Sequence, residues 1–201
     1  VITGGATGLG FAIAQRMLAS GARLTIWDRD AEGMDAAATK LRALQPGAEV
    51  QTVTVDVTDH ASVQRATAQT TAMAGVDVLV NSAGITGPNH TTWEYPVPAW
   101  DRVIDVNLKG VIRGAEAAFP YLSKTPGSCL LNTCSAAGLY GAGGLAVYAA
   151  TKFGVRGLTE ALDIEWAPQG IKVRSLMPSF IDTPILDSIS SGSNRPPRET
   201  L

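Results

Sequence analysis

The sequence predicts an α/β fold, a parallel sheet covered by helices on both faces. Short apolar or β-branched runs alternate with longer helical patterns along most of the chain. Six such strand-like runs occur, apolar enough to be buried on both sides. Between the first strand and the first helix lies a glycine-rich turn, Thr3-Gly4-Gly5-Ala6-Thr7-Gly8-Leu9-Gly10.

Val1 to Thr3 reads as the tail of a strand. Residues 8–20 form a helix, with Phe11, Ala14 and Leu18 at i, i+3, i+7, and Gly21 closes it. Residues 24–27 are a short apolar strand. A polar helix runs from about 30 to 44, and Pro46-Gly47 ends it. Residues 50–57 alternate and are β-branched, hence a strand. Asp59 caps a helix whose face carries Val63, Ala66, Thr70 and Met73. Residues 76–80 are a buried strand, and 82–97 a loop rich in Gly, Pro, Asn and Thr. A long helix spans 99–122. Residues 128–133 are a strand, followed by a Gly- and Ala-rich loop to about 145. Residues 148–167 form a second long helix, ended by Pro168-Gln169-Gly170. Residues 172–177 are the sixth strand, and 178–201 have little pattern.

The 201 residues are expected to form one domain, 1–201. Eighteen acids against sixteen bases, with no basic run, argue against nucleic acid as a partner. Aromatics at 6% leave no base-stacking platform. No apolar stretch reaches the roughly 20 residues of a membrane span, and no signal peptide is visible, so no membrane partner is expected. The opening Val1-Ile2-Thr3 lacks a methionine, which reads as a start removed by processing or truncation. Cys129 and Cys134 would sit about 16 Å apart on opposite faces of one strand, too far for a disulfide. They read as two buried thiols in a reducing, cytoplasmic compartment. His60 and His90 belong to no ligand-spaced cluster, so both are read as surface residues and no metal is expected.

The glycine turn lets the backbone approach a pyrophosphate, while the helix start supplies N–H groups and a positive dipole end. A tight turn alone would use the same residues. Asp28 ends the second strand eighteen residues after Gly10. An acid there accepts from both adenosine ribose hydroxyls and repels a 2′-phosphate, which points to NAD over NADP. Arg29 beside it would suit a 2′-phosphate. Tyr148 and Lys152, at i, i+4, share a helix face. A lysine so placed favours the phenolate and lowers the phenol pKa, making Tyr148 a general acid/base. Ser135 closes a strand at the carboxyl edge, where its hydroxyl can bond the same substrate oxygen.

Together these residues resemble the short-chain dehydrogenase/reductase family from Val1 to about Thr183. Thr3-Gly4-x-x-x-Gly8-x-Gly10 matches the family's cofactor turn, Asn81-Ser82-Ala83-Gly84 its central segment, and Ser135 precedes Tyr148 by the usual thirteen residues. The resemblance implies a Rossmann-type doubly wound sheet in three layers. It implies that Gly4, Gly8, Leu9 and Gly10 hold the pyrophosphate, Asp28 the ribose, and Asp56 and Val57 the adenine. Asn81 and Gly84 would line the next stretch. Ile181 and Thr183 would hold the carboxamide, and Lys152 the nicotinamide ribose. Asn107 would hold a water for proton relay. Ser82 replaces the family's second asparagine, and Ser179 a glycine whose loss redirects the loop over the nicotinamide. The chain also ends within the expected substrate loop, 178–201, before a last strand, and begins inside the first.

The implied activity is hydride transfer between NAD and a secondary alcohol or ketone. The substrate walls fall at 85–97, 136–147 and 178–201. The segment from Gly87 to Pro96 resembles members acting on sugars and sugar acids, whereas 160–166 resembles a less characterised branch. Arg195 and Arg198 could meet a carboxylate or simply face solvent. An NADP-dependent carbonyl or 3-oxoacyl reductase is the rival enzyme. A non-catalytic NAD-binding regulator would need a broken Ser-Tyr-Lys set, and all three residues are present. Family members pair through helices corresponding to 99–122 and 148–167, so a homodimer or homotetramer is expected, with Gly110 and Gly114 allowing close approach.

Overall fold

A computed structural model describes residues 1–186. Its single six-stranded sheet contains β1 (Ile2–Thr3), β2 (Leu24–Asp28), β3 (Val50–Thr54), β4 (Val78–Asn81), β5 (Cys129–Thr133) and β6 (Lys172–Leu176). The order is β3-β2-β1-β4-β5-β6, and all neighbours are parallel. The chain winds outward from β1 in both directions, which is the doubly wound Rossmann arrangement.

Period-two alternation along the strands distributes the helices. Ile26 of β2 packs with Ile2, Ala14, Leu18, Ala37 and Leu41, from α1 (Gly8–Ala19) and α2 (Ala31–Leu44). Trp27, the next residue, packs with Val63 and Ala66 of α3 (His60–Ala74) on the opposite face. Leu79 and Leu130 meet Ala115, Leu122 and Trp166, from α5 (Gly110–Leu122) and α6 (Ala146–Trp166). Each buried Leu, Ile or Val side chain among these contributes roughly 1.5–3 kcal/mol. Asp30 and Asp59 cap α2 and α3, accepting from Gly33 and Ala61.

The predicted helix over 99–122 is not one regular helix. Val97–Ile104 forms α4, Asp105–Lys109 widens into a π-helical turn, and α5 follows. The extra residue per turn leaves no mark in hydrophobic periodicity, and π segments gather at functional sites. The predicted strand 50–57 is shorter, because Val55 bonds only to the carbonyl of Asp28 before the chain turns away. Both cysteines are free, but only Cys134 is buried, and Cys129 is partly exposed.

A buried amide rung fixes the centre. Asn81 and Asn132 are register partners. The Asn81 amide donates to Asn132 Oδ1 at 3.0 Å and to the Val111 carbonyl at 3.3 Å, while Asn132 donates to Thr159 at 3.0 Å. Gly114 makes room for it, since a Cβ there would lie 2.4 Å from Asn81 Oδ1. A Cβ at Gly110 would press on Val57 at 3.0 Å. Both glycines therefore serve packing inside the chain, not the approach of a second copy. Gly114→Ala is expected to cost about 1–3 kcal/mol by overpacking. Denaturant unfolding measures this, and an unchanged midpoint would show that Asn81 has somewhere to go.

Candidate active site

Strand order reverses between β1 and β4, and a cleft of about 900 Å³ opens along the carboxyl ends of the strands there. Thr3 holds its two sides together, its buried Oγ1 accepting from Ser82 N at 2.9 Å and Ala83 N at 3.0 Å. The glycine turn is packed to the limit. A Cβ on Gly4 (φ +66°) would lie 2.7 Å from Ala83 Cα, and one on Gly10 would lie 2.2 Å from the Gly4 carbonyl oxygen. Thr7 caps α1 with no side-chain hydrogen bond, and the first turn of α1 carries no acid. The first-turn N–H groups thus meet no carboxylate, and Gly8 and Leu9 line the cleft. This matches what a dinucleotide pyrophosphate requires.

Asp28 lines the next part of the cleft and steadies the turn, accepting from Ala6 N at 3.3 Å and from Asp30 N at 3.2 Å. Asp56 and Val57 lie beside it. Burial pushes the Asp56 carboxyl up, but the Thr58 hydroxyl and N–H, with Arg102 and Arg29, outweigh this and hold it below the usual carboxylate range. Arg102 on α4 lines the same end and was not foreseen, since nothing in helical spacing distinguishes it from a solvated arginine.

At the other end Ser135, Tyr148 and Lys152 converge. Ser135 Oγ accepts from Ala137 N at 3.1 Å, which sets the turn after β5. Lys152, only 4% exposed, donates to the Thr133 carbonyl at 2.9 Å, and its Nζ lies 5.5 Å from the centre of the Tyr148 ring. Burial lowers the Lys152 ammonium to about 8. The Tyr148 phenol is not lowered as the i, i+4 pairing predicts. Burial raises it, with Ser135 pulling the other way. The Thr133 carbonyl takes one of the three Lys152 N–H donors.

Gly84, Ile181 and Thr183 also line the cleft. Thr183 sits over the glycine turn, 3.4 Å from where a Gly8 Cβ would be. Two predicted residues lie behind the cleft instead. Asn81 is 2% exposed and belongs to the amide rung. Asn107 is fully buried in the π turn. Its Oδ1 accepts from Ile85 N at 2.9 Å, and its Nδ2 donates to Ile85 O at 2.7 Å and Thr151 at 3.3 Å. Both amide hydrogens are thereby committed, and the side chain positions the Ile85 loop. Thr151, unforeseen, donates in turn to the Tyr148 carbonyl at 2.6 Å. Its signal was its place between Tyr148 and Lys152 on the buried side of one helix.

Arg195 and Arg198 lie outside the described residues. His90 is exposed, and His60 lies 3.5 Å from an exposed Glu116. Among the described residues no three His, Cys, Asp or Glu side chains come together as a metal site. No helix there is long and apolar enough to cross a membrane.

Known proteins resemble this chain in sequence and fold. A sequence model described as short chain dehydrogenase matches residues 1–194. A 2-dehydro-3-deoxy-L-rhamnonate dehydrogenase (NAD(+)) from Sphingomonas sp. (strain SKA58) is 36% identical over 190 residues, which are 94% of this chain and 74% of that protein. Levodione reductase from Leifsonia aquatica is 36% identical over 189 residues, 94% of this chain and 71% of the relative. A levodione reductase crystal structure superposes with a TM-score of 0.89, covering 92% of this chain and 72% of its own. A short-chain dehydrogenase/reductase from Burkholderia phymatum in complex with NAD is 34% identical with a TM-score of 0.86, covering 93% and 67%.

The buried lysine gives a pH signature. Its proton is held less tightly in the folded chain, about 8 against 10.5 for the free group. The unfolded chain therefore binds more protons between those values, and stability rises with pH across that window. Below it the penalty is present in full. Lys152→Met is expected to flatten this rise in denaturant titrations spanning the window, and an identical slope in both proteins would refute the assignment.

Proposed function

Because the chain belongs to the short-chain dehydrogenase family, whose members are NAD(P)-dependent oxidoreductases of CH–OH groups, we propose that it moves a hydride between NAD, in preference to NADP, and a secondary alcohol or ketone. The observation that carries this reading is the convergence of Ser135, Tyr148 and Lys152 at one end of a cleft whose other end is the glycine turn. When bound, the nicotinamide supplies or accepts the hydride. The chain's own residues do the rest. In reduction the carbonyl carbon receives the hydride, the π electrons move to oxygen, and that oxygen takes the proton of Tyr148. Ser135 orients the oxygen. Lys152 holds the nicotinamide ribose, and its charge then steadies the phenolate that forms. Asn107 and Thr151 keep Tyr148 and the Ile85 loop in place.

Gly4, Gly8, Leu9 and Gly10 cradle the pyrophosphate, Asp28 the adenosine ribose, and Asp56 and Val57 the adenine. Ile181 and Thr183 take the carboxamide. The preference for NAD rests on Asp28, whose charge opposes a 2′-phosphate. Arg29 and Arg102 at the same end favour the NADP alternative. Residues 1–201 act in this reading as one cofactor-binding domain, with 178–201 bordering the substrate. A reducing cytoplasmic setting fits the two free thiols.

A homodimer through α6 is part of the same proposal. The exposed face of α6 carries Phe153 (45% exposed), Gly157, Ala161 and Ile164 (78%), and the space beside Gly157 is open. Sedimentation at micromolar concentration is expected to give a dimer and, for Ile164→Asp, a monomer. A monomer for the unaltered chain would overturn the assembly.

The cofactor reading is tested by thermal unfolding with each reduced cofactor, since binding to the native state raises the melting temperature by mass action. NADH should raise it more than NADPH, and the reverse would hand Arg29 and Arg102 the decision. Tyr148→Phe should keep the NADH shift while losing turnover by about 10²–10⁴-fold. Retained turnover would remove Tyr148 from the proton transfer.

A further inference from the structure

The charged side chains lining the cleft are unevenly placed. Among the described residues they are Asp28, Arg29, Asp56, Arg102 and Lys152. The first four gather where β2, β3 and α4 end, around the Asp56 carboxyl that both arginines face. Only Lys152 lies near the reacting end. It is buried, bonded to the Thr133 carbonyl and set against the Tyr148 ring.

Around Ser135 and Tyr148 the remaining wall is different in kind. Its apolar members are Ile85, Pro88, Ala136, Tyr140, Leu145 and Phe180, with Thr86 and Ser179 beside them. Tyr140 is 57% exposed and Phe180 80% exposed, so two aromatic surfaces stand uncovered at the edge of this end. Uncovered aromatic surface beside a reacting pair is stabilised by a ligand that brings hydrocarbon to it. Moving a carboxylate into the same place strips its hydration, and among the described residues no cation but the buried Lys152 stands there to offset the loss.

Resting on the oxidoreductase reading above, we infer that the substrate is an uncharged ketone or secondary alcohol carried on a hydrocarbon body, and not a sugar acid. Among the described residues this wall offers a carboxylate no cation but the buried Lys152, and Ser135 and Tyr148 supply the two polar contacts that a lone oxygen needs. The cleft is thus divided by polarity, ionic at the adenosine end and apolar at the reacting end.

Three matched compounds test this with the full chain and NADH. They are a methylcyclohexanone, the cyclohexanone carrying a carboxylate at the same carbon, and the methyl ester of that acid as a size control. Turnover is followed by NADH consumption, and binding by the melting temperature of the NADH-saturated chain. The ketone and the ester are expected to exceed the carboxylate in kcat/KM by about tenfold or more, and to raise the melting temperature where the carboxylate does not. Equal or better use of the carboxylate overturns the inference. If Arg195→Ala with Arg198→Ala then removes that preference, the cation comes from those two arginines. Failure of all three compounds both to bind and to react also overturns it. Binding of the two neutral compounds with no turnover supports the ligand class while sinking the hydride-transfer reading, so the two failures are told apart.

Discussion

Thr3 closes a strand of only two residues, yet its buried hydroxyl accepts the N–H groups of both Ser82 and Ala83 across the point where strand order reverses. At a switch point two loops diverge and leave backbone donors without ladder partners. One oxygen satisfies two of them here and fixes how far the loops stand apart. The glycine turn then fits against Ala83 with no room for a side chain at Gly4. The cleft, the approach to a pyrophosphate and the direction of α1 all follow from that spacing.

The reacting end depends on a second set of buried polar groups. The π turn places Asn107 so that its amide grips both backbone groups of Ile85 and reaches Thr151, which in turn holds the Tyr148 carbonyl. Each of these groups would cost about 1–3 kcal/mol if left unpaired, so the network tolerates few alternatives. Tyr148 and the Ile85 wall of the substrate end are thereby fixed relative to each other through residues that do not line the cleft. The same logic applies at the core, where Asn81 and Asn132 bond one another and have no contact with the cleft.

Much of this was legible in the sequence. The alternation of strands and helices, the glycine turn, Asp28 and the Ser135–Tyr148–Lys152 spacing sufficed for the sheet and for both ends of the cleft. The parts that were not legible share a physical cause. Gly110 and Gly114 looked like a docking stripe because spacing cannot say which side of a helix faces a bulky amide. Asn81 looked like a cofactor contact because a buried asparagine and a ligating one have the same letter. Lys152 was expected to depress the Tyr148 pKa, but burial of the phenol raises it, and i, i+4 spacing says nothing of burial. Arg102 and Thr151 became visible only once α4 and α6 were placed around the cleft.

The switch point also governs how the chain reaches its folded state. The contacts that make the cleft join segments far apart in sequence, with Thr3 bonded to residues 79 and 80 positions away and Asn81 to a residue 51 positions away. Loop-closure entropy makes such pairings late and slow. The hairpin-free, wholly parallel sheet offers no local substitute. The cleft therefore opens only once β1 has docked against β4, and a chain arrested earlier leaves those two strand edges unpaired and sticky.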